Sequence, residues 1–220
     1  MCIRDSYQGR EPAVASGSAA LLANAMAQPE ASRVPLFTAA DFAWNPSDYR
    51  PRESWRAAIA DLAAGDTRRE EALNALAGNT ASSVLGGEES AYLRPLIDAF
   101  WRTREEGRLR AAFTVLRELP KRLSGTGLGA ETGPWSEQLA RYGETGTDAL
   151  DMLRAQRAGD AGAAWTAYLR LGEGRERLGS SRATVGKGVL DPFLSRAQKA
   201  YESWAGIDHE PDRAPGRSTP

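Results

Sequence analysis

The sequence predicts a mainly α-helical chain, on three observations. Apolar residues recur at spacings of three and four from Trp55 to Trp204, no alternating strand pattern appears after Pro46, and Gly, Asp and Asn-Pro signals punctuate the periodic runs at helix-length intervals. Counting those runs gives about seven helices.

In chain order, Tyr7 to Ala27 is rich in Gly, Ala and Ser without a clear period, and Ala19 to Ala25 reads as a strand or as the end of a helix. Pro29 suits a first helical turn and Pro35 is tolerable only near a helix start, so Glu30 to Trp44 reads as a helix closed by Asn45-Pro46. Asp48 is a candidate cap for the next helix, whose stripe is Trp55, Ile59 and Leu62. Gly65 ends that helix, Asp66 caps another with Leu73 and Leu76 inward, and Gly78-Asn79 stops it. From Glu88 the residues Tyr92, Leu93, Leu96, Ile97, Phe100 and Trp101 keep helical spacing; after Gly107 the series Leu109, Phe113, Leu116, Leu119 and Leu123 resumes it, as two long helices or one bent one. A loop is expected from Ser124 to Pro134. Trp135, Leu139, Tyr142, Leu150 and Leu153 mark further helix, and Gly159-Asp160 turns into a helix bearing Trp165, Tyr168 and Leu169. After a break from Leu178 to Ser181, the last helix carries Leu190, Phe193, Leu194, Ala197, Tyr201 and Trp204 up to Gly206.

Composition bounds the chemistry. The chain has 220 residues, 41 % of them hydrophobic, enough for a real core. A formal charge of -1 gives no global field toward nucleic acid or an anionic membrane, and no apolar run is long enough to span a bilayer. One cysteine, Cys2, and one histidine, His209, exclude Cys/His metal clusters and His-based triads, so no metal and no cofactor are expected. Carboxylates, amides and aromatics are the available chemical groups.

Several motifs have plain structural readings. Gly125-Thr126-Gly127-Leu128-Gly129 follows a helix, whereas a phosphate-binding glycine loop follows a strand; it reads as a flexible linker. Gly186-Lys187-Gly188 lacks the remaining residues of a nucleotide loop and reads as a helix-entry turn. The pairs Glu70-Glu71, Glu88-Glu89 and Glu105-Glu106 lie beside arginines and read as solvated surface charge. Trp55, Trp101, Trp165 and Trp204 sit on apolar stripes and are expected to pack in the core rather than form a sugar platform.

The N-terminal region carries a more specific pattern. Leu22-Ala23-Asn24-Ala25-Met26-Ala27-Gln28-Pro29-Glu30-Ala31-Ser32, then Val34-Pro35-Leu36-Phe37-Thr38-Ala39-Ala40-Asp41-Phe42-Ala43-Trp44-Asn45-Pro46, then Tyr49, Pro51, Ser54 and Trp55, resembles glycoside hydrolase family 84. That family contains β-N-acetylglucosaminidases, including O-GlcNAcases and enzymes labelled hyaluronidases. The resemblance spans Tyr7 to Leu62, more loosely to Phe100; Ala25 departs from a usual proline and Ala27 from a common asparagine.

The resemblance implies the last strand and helix of a truncated (β/α)8 barrel, at Ser18 to Trp44, followed by a helical bundle. The implied division is residues 7–46 as the barrel's end, 47–123 as a helical post-catalytic domain, 134–206 as a further helical region and 207–220 as a disordered tail. Residues 1–6 resemble translated adapter sequence and are read as foreign. Asn24 corresponds to an asparagine whose amide holds hydroxyls of terminal N-acetylglucosamine, and Asp41, Trp44, Asn45, Tyr49 and Trp55 are expected to dock barrel and helices together.

The implied reaction is retaining and substrate-assisted: the 2-acetamido oxygen attacks the anomeric carbon while two consecutive aspartates polarise it and protonate the leaving oxygen. The sequence has no Asp-Asp pair, so this fragment is expected to be inactive, with the pair upstream in a longer parent. The implied partner is an N-acetylglucosamine-bearing glycan or glycoprotein, with no nucleic acid. Secretion is expected from the resemblance, and no signal peptide is present in these residues. The alternative is a non-catalytic helical module that binds a protein or glycan.

Overall fold

A computed structural model describes residues 7, 9–80, 89–186 and 188–207. The expectations for residues 1–6, for Glu88, Lys187 and His209, and for the tail beyond 207 lie outside the described residues, the tail except at its first residue. In order, the elements are α1 (Pro12–Ser16), α2 (Pro29–Trp44), α3 (Pro51–Ala63), α4 (Thr67–Asn79), a 3₁₀ turn (Ala91–Leu93), α5 (Arg94–Thr103), α6 (Gly107–Arg122), α7 (Gly127–Ala158), α8 (Ala161–Gly179) and α9 (Leu190–Ala205).

The fold is mainly α, and no strand occurs among the described residues. Ala19 to Ala25 runs as irregular, exposed chain. A barrel strand draws its hydrogen bonds from neighbouring strands on both edges, and none is present among the described residues to pair with it.

Several helix ends follow from local sequence. Asp66 accepts hydrogen bonds from the backbone N–H groups of Arg68 (2.9 Å) and Arg69 (3.1 Å), capping α4, and Asp160 accepts from Ala163 N–H at 2.9 Å, capping α8. Gly159 and Gly206 take left-handed φ values of 72° and 67° after α7 and α9. Asp48 does not cap α3, which begins three residues further on, where Pro51 supplies a fixed φ in the first turn and Arg50 stands at the N-cap without a side-chain bond.

The expected loop from Ser124 to Pro134 is mostly helix. α7 starts at Gly127, with the Thr126 hydroxyl accepting from Gly129 N–H at 2.9 Å, and continues through Pro134 for 32 residues. Gly127, Gly129, Gly133 and Pro134 have poor helix propensity, but Leu128, Thr132, Ser136 and Leu139 are buried along one face. Tertiary packing outweighs the propensity deficit, as it does for most helices in folded proteins.

α7 is the central element, packed against α6 on one side and α8 and α9 on others, with α2, α3 and α4 joining through α2–α7 and α4–α6 contacts. Where α6 crosses α7, a methyl group at Gly143 would stand 2.5 Å from the Phe113 carbonyl oxygen, and one at Gly146 would meet the Phe113 ring at 2.7 Å. These glycines let the backbones approach, and Phe113 fills the space beneath. Phe113 lies 5.5 Å from Phe193, which lies 6.2 Å from Phe100, an aromatic cluster joining α5, α6 and α9.

Two further expectations are corrected. Trp165 and Trp204 are 47 % and 43 % exposed; they end a row in which Trp165 stacks on the half-buried Tyr168, Tyr168 on the buried Tyr201, and Tyr201 leans on Trp204. Helical spacing placed them on apolar stripes, but among the described residues no further element covers the two ends. Glu106 is also not solvated surface charge: its side chain is 20 % exposed and pairs with Arg110 at 3.2 Å and Arg154 at 3.4 Å, tying α6 to α7.

Candidate functional site

The residues singled out in the N-terminal region are organised around α2. Ser32, fully buried, donates to the Gln28 carbonyl at 2.8 Å and accepts from Met26 N–H at 3.0 Å, so the irregular stretch carrying Asn24 is fastened to the helix just after it. Asn24 itself is exposed. Thr38, also fully buried, accepts from Tyr7 N–H at 3.1 Å. The Tyr7 ring then lies 4.9 Å from Phe42, whose edge meets Tyr49 at 5.5 Å.

Of the six site residues, the structure brings Tyr49 into this aromatic cluster, and burial raises its phenol pKa above the ordinary value. Trp55 is half-buried against the core. Asp41 is half-buried, and its carbonyl accepts from Asn45 N–H at 2.9 Å where α2 ends. Asn45 is exposed, and Trp44 is 90 % exposed. Leu22 is 99 % exposed, while Leu36 and Phe37 on α2 stay more than a third exposed. The segment from Leu22 to Trp44 therefore presents several apolar side chains to solvent.

The sequence reading missed the residues that hold this region in place. Glu131 of α7 accepts from the backbone N–H groups of Glu30 and Ala31 at 3.0 Å each, a cap supplied from a distant helix. No local signal marks it, because its partners are a hundred residues away. A second missed feature is a cavity of about 760 Å³ between α3, α4 and α6, bordered by Arg52, Trp55, Arg56, Asn74 and Tyr92. A signal for it was present: two arginines four residues apart, flanking a tryptophan.

Gly125, with φ of 75°, is a turn between α6 and α7, and the Thr126 hydroxyl occupies the cap that a phosphate would need. Among the described residues no group of three or more His, Cys, Asp or Glu could hold a metal ion. No helix among them is long and apolar enough to cross a membrane.

Two family models match the chain in order. The model described as beta-N-acetylglucosaminidase matches residues 3–78, and that described as hyaluronidase post-catalytic domain-like matches residues 92–194. The chain is similar to an O-GlcNAc hydrolase from Thermobaculum terrenum, at 27 % identity and TM-score 0.74, over 90 % of this chain and 45 % of that one. It shares its fold with CpGH84B, at 23 % identity and TM-score 0.68, over 79 % of this chain and 32 % of that one. The chain thus spans less than half the length of either solved structure. On these matches the chain resembles glycoside hydrolase family 84 proteins, and its helices resemble the C-terminal helical part of O-GlcNAc hydrolase structures.

Proposed function

We propose that this chain is the C-terminal part of a retaining β-N-acetylglucosaminidase that uses substrate-assisted hydrolysis of terminal N-acetylglucosamine. Residues 7–46 would complete the last step of the catalytic barrel, 47–123 would form the post-catalytic helical domain, and 134–206 would extend it. The observation that carries this reading is the exposure of Leu22, Leu36, Phe37 and Trp44 within the segment matched by the β-N-acetylglucosaminidase model. Four large apolar side chains exposed within one short segment suit a surface that another element covers, and the neighbouring helices of a barrel would do so.

In the parent, the substrate's own acetamido oxygen forms the bond to the anomeric carbon as the glycosidic bond breaks and an acid protonates the departing oxygen. The chain has no Asp-Asp pair to orient the acetamido group and move that proton. We assign it no turnover of its own. Asn24 is the residue proposed to touch sugar, because an amide both donates to and accepts from hydroxyls and the Ser32 anchor holds its segment against α2.

Residues 7–220 should not hydrolyse an aryl N-acetylglucosaminide above background; turnover would overturn the assignment. In the full-length parent, Asn24→Ala should lower kcat/KM by roughly tenfold, the loss of one or two sugar hydrogen bonds. An unchanged kcat/KM would remove Asn24 from the site. The exposed Trp165 and Trp204 at the two ends of that aromatic row support a second reading, a non-catalytic helical module. Genomic sequence upstream of Tyr7 separates them, since seven further βα units with an Asp-Asp strand belong only to the enzyme.

A further inference from the structure

We propose that the cavity between α3, α4 and α6 is a binding site for a carboxylate carried on a six-membered ring. This inference does not depend on the glycosidase reading. The cavity measures about 760 Å³, within the size range of small-molecule sites, and its wall is divided by chemistry. Arg52 and Arg56 line one side, exposed and one helical turn apart on α3, where i and i+4 side chains are neighbours. Neither has an ion-pair partner among the described residues. Two guanidinium groups placed in this way present forked donors suited to a carboxylate.

Between them stands Trp55. Its indole N–H is buried and has no hydrogen-bond acceptor. That nitrogen is turned away from the open space, and the residue borders the cavity through the rest of its side chain. The opposite wall is apolar, made by Ala75, Ala112 and Val115, with the Tyr92 ring beside it. Tyr92 is 41 % exposed while its hydroxyl accepts from Asn79 at 2.7 Å, so much of the ring remains open as a surface on which a flat ligand can lie. Gly78 keeps that ring seated: a methyl group there would meet it at 2.9 Å.

The one carboxylate on the wall, Glu71, does not cancel the arginines. It is bonded to Arg122, which also pairs with Glu118 at 3.0 Å. The cavity therefore keeps a net positive side facing an apolar one, which selects against neutral rings and against anions with no ring.

Isothermal titration of the 220-residue chain with benzoate and with glucuronate distinguishes an aromatic from a sugar acid, both carrying the proposed group. Benzamide, methyl glucoside and inorganic phosphate serve as controls. At least one ring carboxylate should bind, with the neutral compounds and phosphate at least about tenfold weaker. The exposed double substitution Arg52→Ala with Arg56→Ala should weaken binding by about tenfold or more without altering the helical circular dichroism. In the unsubstituted chain the Trp55 indole N–H resonance, identified by its loss in Trp55→Phe, should shift on saturation. Equal binding of phosphate, no binding of either acid, or undiminished binding by the double variant would each overturn the proposal.

Discussion

Glu131 accepts a hydrogen bond from Ala31 N–H at 3.0 Å across a hundred residues of sequence, and its other carboxylate oxygen takes Glu30 N–H at the same distance. The N-cap residue of α2, Gln28, makes no side-chain cap bond, so the remote carboxylate does the work of a local cap. It also places a negative charge at the positive end of the helix dipole.

Replacing Glu131 by Ala should therefore destabilise the protein by about 1–2 kcal/mol, the range of a lost charged cap. Glu131→Gln, which keeps one acceptor and loses the charge, should cost less. Urea denaturation of the two variants checks both the size and the order.

At the α6–α7 crossing, Gly143→Ala sets two effects against each other. Alanine improves helix propensity by about 1 kcal/mol, but its methyl group falls on backbone atoms of Phe113 and Arg117, which cannot rotate aside. Separation of the helices should win, with a net loss of about 1–3 kcal/mol. A stabilised Gly143→Ala variant would show that the crossing is looser than the structure makes it.

Phe42 and Trp44 lie two residues apart on α2 and should behave oppositely. Phe42 is 2 % exposed between Tyr7 and Tyr49, and Phe42→Ala should cost about 3–5 kcal/mol. Trp44 is 90 % exposed, and Trp44→Ser should change stability by no more than about 0.5 kcal/mol. Thermal melts of this chain check the pair. In the proposed full-length parent, where a barrel neighbour would lie against Trp44, the second substitution should become clearly destabilising.

Alkaline pH should also weaken the fold. Although Tyr92 as a residue is 41 % exposed, its hydroxyl sits against the buried Asn79, and the loss of solvent there raises the phenol to about 12, with the Asn79 hydrogen bond opposing part of the effect. Because the folded state keeps this proton longer than an unfolded tyrosine of pKa about 10, the contribution is complete below about pH 10 and is lost as pH rises toward about 12. Tyr142, bonded to Asp191 at 2.7 Å, is raised in the same direction. The urea midpoint should fall across this interval, and Tyr92→Phe should flatten part of the fall.

Most helix boundaries were legible because caps and turns are local. Asp66, Gly159-Asp160 and Gly206 each act within a few residues of themselves, and each marks the end it was expected to mark. The first turns of α7 were hidden because small and polar residues stand in place of the usual apolar ones. Thr132 and Ser136 are buried as deeply as leucines, but their hydroxyls bond back to Leu128 and Gly133 carbonyls, leaving no hydrophobic period to read. Trp165 and Trp204 show the converse, since a stripe identifies residues that share a face and does not identify what covers it. For the candidate site, the sequence pattern picked out Asn24 and Tyr49, whereas Ser32, Thr38 and Glu131 act through contacts that only folding creates.

The length of α7 has a mechanical consequence. Thirty-two helical residues make a rod of about 48 Å, and its first turn is pinned to α2 while its later turns are gripped by α8 and α9. Pro134, three residues beyond the Glu131 contact, removes a backbone hydrogen bond from the rod, so α7 is weakest just where α2 is fastened to it. The segment matched to the β-N-acetylglucosaminidase model and the far helices therefore hold opposite ends of one helix, on either side of that weak turn.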